Sequence, residues 1–240
     1  MFDPSSDKPF RISRAKVELF LNCPRCFYLE ARCGTARPPS MPFNLNSAVD
    51  ELLKREFDTH RVAGTPHPLM VRYGIDAVPY NHPMMDQWRI ALSGGIRYIH
   101  PATNLELTGA PDDIWVNPKP ALHIVDYKAT SKDAEVTLDA AWQIGYKRQV
   151  SFYGKLYEWN GFPVDPTAYF VYCNGRKSAD IFDGRLEFDI KVIPYTIDTS
   201  WIESTIVALK SCLVSSDIPS ASADCDWCNY RSAVSRHEQR

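Results

Sequence analysis

Two Cys-x-x-Cys pairs stand near opposite ends of this chain: Cys23 and Cys26 close to its start, Cys225 and Cys228 close to its end. No other feature constrains the fold as strongly. A Cys-x-x-Cys pair can offer two thiolates to one centre, and two pairs complete the set that holds Zn2+ or an iron–sulfur cluster. One shared structural site would tie the first helix to the tail. It would close a loop of about 200 residues, restricting the unfolded chain and so favouring the folded one. Two other readings are open: separate buried thiols, or a redox pair at Cys23-Pro24-Arg25-Cys26. The redox motif belongs after a strand and at the opening of a helix, whereas Cys23 closes a helical pattern. Cys33, Cys173 and Cys212 stand alone, which makes the count odd. With nothing suggesting secretion, a reducing cytoplasm is the expected location.

Composition matters mainly for what it excludes. The 240 residues carry 27 Lys+Arg against 29 Asp+Glu, a net charge of −2, so a generally basic, histone-like binder is ruled out. A local basic cleft is not. With 45% apolar residues the chain can build a core without disulfides, and its length suits one domain over residues 1–240. No apolar run reaches the roughly 18 residues of a membrane span, and Met1 to Phe10 lacks a signal-peptide core, so no membrane partner is expected.

Periodicity predicts helices over about Ser13 to Asn22 and Phe27 to Arg32, with Pro24 interrupting between them. Arg37-Pro38-Pro39-Ser40-Met41-Pro42 reads as a rigid connector. Leu45, Val49, Leu52, Leu53 and Phe57 recur at helical spacing, giving an amphipathic helix over about Asn46 to Ala63. A short helix is expected around Met84 to Leu92. Leu105 to Val116 and Ala121 to Lys128 read as strands joined by the turn Asn117-Pro118-Lys119-Pro120. A long helix follows from about Asp139 to Trp159, stopped by Asn160-Gly161 and Pro163. Strands are expected at Ala168 to Cys173 and Leu186 to Val192. Ser200-Trp201-Ile202-Glu203 reads as a capping box opening the last long helix, to about Val214. This order predicts an α/β fold, a small mixed sheet flanked by helices.

The chemistry concentrates on the hairpin. Asp112 falls late in its first strand, after Gly109, and Asp126-Tyr127-Lys128 ends the second. Residues two apart on a strand share a face, so Asp126 and Lys128 point the same way, and the hairpin brings Asp112 near them. Two carboxylates suit a hard Mg2+ or Mn2+ ion, which polarises a phosphodiester. A neighbouring ammonium can orient water and neutralise developing charge. Alone, Asp-x-Lys is more often a solvated pair. Here the apolar run Ala121 to Val125 precedes it, so the acid ends a buried strand and needs a partner.

Gly109-Ala110-Pro111-Asp112 followed by Ile124-Val125-Asp126-Tyr127-Lys128-Ala129-Thr130 resembles the paired signatures of the PD-(D/E)XK nuclease superfamily, and most of all its RecB-like branch. Gln149-Val150-Ser151-Phe152-Tyr153 resembles that branch's Gln-x-x-x-Tyr helix, and Ser13 to Glu30 with Cys23-Pro24 its first helix. The resemblance spans nearly the whole chain in the expected order. It implies a restriction-endonuclease-like core, Asp112, Asp126 and the Tyr127 carbonyl as metal ligands, and Lys128 as catalytic lysine. Gln149 and Tyr153 would contact nucleic acid or position Lys128, with core packing as the other reading of Tyr153. The branch's Gly-x-x-x-His is replaced by Asn46-Ser47-Ala48-Val49-Asp50, so Asp50 is either a substitute metal ligand or an ordinary polar residue on a surface helix.

The cysteines are similar to those of iron–sulfur-containing CRISPR-associated and AddB-type nuclease domains, which use one early cysteine and three from the tail. Cys23, Cys225 and Cys228 match; the third tail cysteine is absent, and Cys26 would complete a two-plus-two set. The resemblance puts a [4Fe-4S] cluster ahead of Zn2+ there. It implies a Mg2+- or Mn2+-dependent deoxyribonuclease of repair, recombination or defence, with DNA, single-stranded included, as substrate and a helicase or other repair or defence protein as partner. The alternative is a catalytically inactive nucleic-acid-binding module of the same fold. Trp88, Trp115, Trp142 and Trp227 are candidates for base stacking, with core packing as the ordinary reading.

Overall fold

The computed structural model describes residues 1–39 and 44–238. The Ser40, Met41 and Pro42 part of the expected connector lies outside them. In chain order the elements are β1 (Phe10–Ser13), α1 (Arg14–Asn22), α2 (Pro24–Ala31), α3 (Asn44–Ala63), α4 (Pro68–Arg72), β2 (Val78–Pro79), α5 (Met85–Trp88), β3 (Ile96–His100), β4 (Leu105–Gly109), β5 (Asp113–Val116), β6 (Leu122–Thr130), a 3-10 turn (Ala141–Gln143), α6 (Ile144–Trp159), β7 (Thr167–Gly175), β8 (Phe188–Thr196), α7 (Ile202–Val214) and α8 (Asp226–Glu238). The class is α/β, as expected. No helix among the described residues is long and apolar enough to cross a membrane.

The chain forms two compact units. One is built from residues 1–41, 97–108 and 200–240. Its three-stranded sheet has the order β1-β4-β3, with β1 and β4 parallel and Phe10 opposite Leu105. Ser13 caps α1 by accepting from the Lys16 N–H at 3.4 Å. Pro24 marks the break between two helices as expected, and it lies in the first turn of α2, where a missing N–H costs nothing. Ile12, Phe27, Leu105, Ile206, Leu209 and Leu213 are fully buried, and the Tyr28 hydroxyl donates to the Ser215 carbonyl at 3.0 Å.

The other unit is residues 42–96 and 109–199. Its five-stranded sheet runs β2-β5-β6-β7-β8, with only the β6–β7 pair parallel. The turn before β6 forms as expected: the Asn117 side chain accepts from the Lys119 and Ala121 N–H groups, both at 3.0 Å. Phe57 of α3 stacks on Trp115 of β5 at 5.4 Å, in a core with Val125, Tyr127 and Val171.

Four expectations need correction. The single strand Leu105 to Val116 is two strands in different sheets, β4 and β5, broken at Ala110-Pro111-Asp112. Pro111 has no N–H for a ladder. Asp112 therefore sits in the link before β5 rather than late in a strand. The long helix begins as a 3-10 turn and becomes α-helical only at Ile144. Ser200 to Glu203 forms no capping box: Trp201 is the N-cap of α7 and makes no side-chain cap bond. Glu203 instead meets His100 at 2.9 Å. Nor is α7 the last helix, since α8 follows within what reads as a polar tail.

Candidate metal and active sites

The alternation of β6 sends Asp126 and Lys128 to one face and Tyr127 to the other. Asp126 is fully buried, and the Lys128 ammonium forms an ion pair with its Oδ2. Neither Asp126 oxygen accepts a well-formed hydrogen bond. Asp112 is held by the Tyr127 backbone N–H, which donates to its Oδ2 at 2.8 Å. Lys54 reaches in from α3, 2.7 Å from Asp50 and 3.9 Å from Asp112. Asp50, Asp112, Tyr127, Lys128, Tyr146 and Gln149 all line one cavity of about 420 Å3. The Tyr127 side chain faces away from it, so its main chain is the part offered there.

Burial, reinforced by the charge of Asp126, pushes the Asp112 carboxyl up to about 7, against the pull of Lys128 and Lys54. Burial alone would lower Lys128, but the Asp126 and Asp112 carboxylates outweigh it and hold the ammonium above its ordinary value. The Lys128 Nζ also stands 4.5 Å from the centre of the Tyr146 ring.

Gln149 and Tyr153 share one face of α6, and the Gln149 amide donates to the Tyr153 hydroxyl at 3.2 Å. Gln149 lines the cavity, whereas Tyr153 is 5% exposed. Its ring lies against Gly109, where an added Cβ would come within 2.6 Å of it. The glycine before Pro111-Asp112 is thus required by close approach.

Behind β6 lies a network that sequence reasoning missed. Asp113, fully buried, accepts from the Tyr127 hydroxyl at 2.8 Å, the Ile114 N–H at 2.8 Å and the Trp115 indole at 3.3 Å. The Arg61 guanidinium pairs with it and donates to the Tyr80 carbonyl at 2.6 Å and to Asp58 at 2.9 Å. Arg89 forks onto the same Asp58 at 3.0 and 3.1 Å. The Asp112-Asp113 doublet was the available signal: alternation turns one acid toward the core. Lys54 was missed too, although it lies one helical turn beyond Asp50.

The four paired cysteines do come together. Their sulfurs are 3.9 Å apart for Cys23–Cys228 and 3.6 Å for both Cys26–Cys225 and Cys26–Cys228, and all four lie within 4.8 Å of one another. Cys23 links α1 to α2, and Cys225 precedes α8. Against the upward push of burial, backbone hydrogen bonds from Cys26 and Ser222 and the neighbouring thiols bring Cys23 down to about 6. Burial and the surrounding sulfurs push Cys26 up. These four could hold a metal ion. Among the described residues no other group of three or more His, Cys, Asp or Glu is so placed. Asp50, Asp112 and Asp126 are not gathered that way; two lysines stand among them.

No protein-family model matches the chain, nor does any curated protein. The chain is similar to SSO0001 in its crystal structure, with a TM-score of 0.40 and 15% identity over 95% of this chain and 86% of that one.

Proposed function

We propose that the carboxylate–lysine cavity is a cation-dependent phosphodiesterase site acting on DNA, the activity that the resemblance to PD-(D/E)XK nucleases implies. The observation that carries this reading is Asp126, a fully buried carboxylate with no well-formed hydrogen bond on either oxygen. Lys128 is its ion-pair partner, and buried oxygens still without well-formed hydrogen bonds are open to a further cation. The oxygen donors of Asp112 and Asp126 suit Mg2+ or Mn2+, with the Tyr127 carbonyl and Asp50 as further donors. When bound, such an ion polarises the phosphodiester and stabilises the leaving oxygen.

The protein's own groups do the rest. Lys128, kept protonated by two carboxylates, orients the attacking water and offsets charge developing on the phosphate. Gln149 lines the same cavity and offers a neutral contact to the substrate strand. One observation favours the inactive binding module: Lys54 and Lys128 already neutralise Asp50 and Asp126 without any metal ion. End-labelled oligonucleotides separate the two readings. With Mg2+ or Mn2+ the wild type is expected to cut, and Lys128→Ala to lose roughly a hundredfold or more in rate while still binding. Binding without cleavage under either metal would establish the inactive module instead.

At the cysteines the spacing supports a single tetrahedral ion, Zn2+ foremost, over a cluster. Four bonds of about 2.3 Å to one ion give sulfur–sulfur edges of about 3.8 Å. A four-iron cube would hold the same sulfurs more than about 6 Å apart. Three of the separations are 3.6–3.9 Å and all lie within 4.8 Å, nearer the former. Anaerobically purified protein is therefore expected to be colourless with one zinc per chain, and a brown protein absorbing near 400 nm would overturn this.

A further inference from the structure

The 3-10 turn Ala141–Gln143 holds two neighbouring side chains in opposite surroundings. Gln143 is 1% exposed; its amide donates to the Thr137 carbonyl at 2.7 Å and the Tyr172 hydroxyl at 3.2 Å, and its oxygen accepts from the Ala140 N–H at 2.9 Å. The preceding segment is equally fixed. Val136 and Leu138 are buried, and the Lys132 backbone exchanges hydrogen bonds of 2.8 and 3.0 Å with the Asn174 side chain. Yet Trp142 stands 59% exposed. A pinned turn, not a wandering loop, keeps this indole in water.

Single exposed apolar residues are common, so exposure alone means little. Position gives Trp142 its meaning. Its ring packs edge to face on Tyr146, 5.4 Å between centres at 82°. Tyr146 lines the cavity of Asp112 and Lys128, and the Lys128 ammonium lies 4.5 Å from its ring centre. The Lys132 ammonium lies 5.1 Å from the centre of the Trp142 ring. Ammonium, ring, ring and ammonium thus follow one another outward from the carboxylates. Aromatic faces for bases beside cations for phosphates are what single-stranded nucleic acid needs. An apolar protein partner would have no use for the two ammonium groups. Of the other tryptophans, Trp88 and Trp115 are buried in the core.

We infer that Trp142, braced by Tyr146 and Gln143, is a stacking platform for an unpaired base next to the scissile phosphate, and that Lys132 contacts the adjoining backbone phosphate. The substrate class is then a single strand or a frayed end, because bases within a duplex stack on one another. This rests on the phosphodiesterase reading and deepens it.

The test uses full-length Lys128→Ala protein, which cannot consume its ligand, and follows binding of labelled single-stranded oligodeoxythymidylate and of a blunt duplex at fixed salt. Adding Trp142→Ala is expected to weaken single-strand binding roughly tenfold and to leave duplex binding nearly unchanged. Trp142→Phe should restore most of the affinity and remove the tryptophan quenching that accompanies binding. An oligoribonucleotide of equal length tells whether the unpaired base is taken from DNA or RNA; stacking on either supports the platform.

Unchanged single-strand affinity in Trp142→Ala overturns the inference, as does an equal loss for duplex. A change in self-association on sedimentation without a change in binding also overturns it, assigning the ring to a second copy. If the wild type cuts DNA while Trp142→Ala binds normally, the platform falls and the nuclease stands. If the wild type neither binds nor cuts, both fall.

Discussion

Two buried acids on the paired strands β5 and β6 lean on different cationic partners. Asp113 is completed by the Arg61 ion pair and three hydrogen bonds, so Asp113→Asn takes from the buried guanidinium one of its two carboxylates. A loss of roughly 3–5 kcal/mol is expected from denaturant unfolding; a change below about 1 kcal/mol would mean that Asp58 alone suffices for Arg61. Asp126 is buried too, but neither of its oxygens accepts a well-formed hydrogen bond and its partner is the Lys128 ammonium. With chelator present, Asp126→Asn leaves the largely buried Lys128 ammonium without its ion-pair partner, so a loss of roughly 3–5 kcal/mol is expected from denaturant unfolding. The same variant should lose the rise in Tm that is expected of the wild type with Mg2+ or Mn2+. A retained rise would place the cation elsewhere. The sequence carried both acids in plain view, yet only packing shows which belongs to the core. Asp126 was legible because an apolar run leads into it; Asp113 was not, because its partner Arg61 is 52 residues away.

Elements were readable where one face is apolar over several turns. The residues Val49, Leu53 and Phe57 marked α3, and Asn160-Gly161 marked the end of α6. The short strands β1, β2 and β3 were missed, having too few residues to show a period. The helix α4 was missed as well, and its cap shows how local chemistry can replace periodicity. His67 Nδ1 accepts from the Leu69 N–H at 3.0 Å, so Nε2 carries the proton and donates to Glu56 at 2.8 Å. The ring stacks on Phe57 at 4.1 Å. Burial lowers the His67 pKa below its ordinary 6.5, against the pull of Glu56. Below 6.5 the unfolded chain therefore takes up a proton that the folded one refuses. The contribution of His67 is complete above pH 6.5 and is lost as pH falls through the lower folded value. Between pH 7 and pH 5 the wild type should lose more unfolding free energy than His67→Asn, which caps without titrating. Equal slopes for the two proteins would show that His67 is protonated when folded.

At the scale of the whole molecule, the paired cysteines set a long-range constraint that could be read from spacing alone. The number of turns they organise could not. Helix α8 buries none of its residues, so hydrophobic periodicity had nothing to reveal and the segment passed for a tail. A 13-residue helix without a buried face is marginal in water by itself. Its anchor is at its start, where buried Cys225 and partly buried Cys228 meet Cys23 and Cys26. Metal binding at the four sulfurs would then become folding free energy for α8 and for the α1–α2 corner. Removing the ion with a strong chelator under reducing conditions is expected to lower Tm, reduce the helical circular dichroism and open the α8 amides to hydrogen exchange. The double variant Cys225→Ser, Cys228→Ser should do the same without chelator. Should α8 keep its protection after the metal is stripped, the helix must be held by contacts other than the thiolates, and the cysteine site would bind an ion without building the fold.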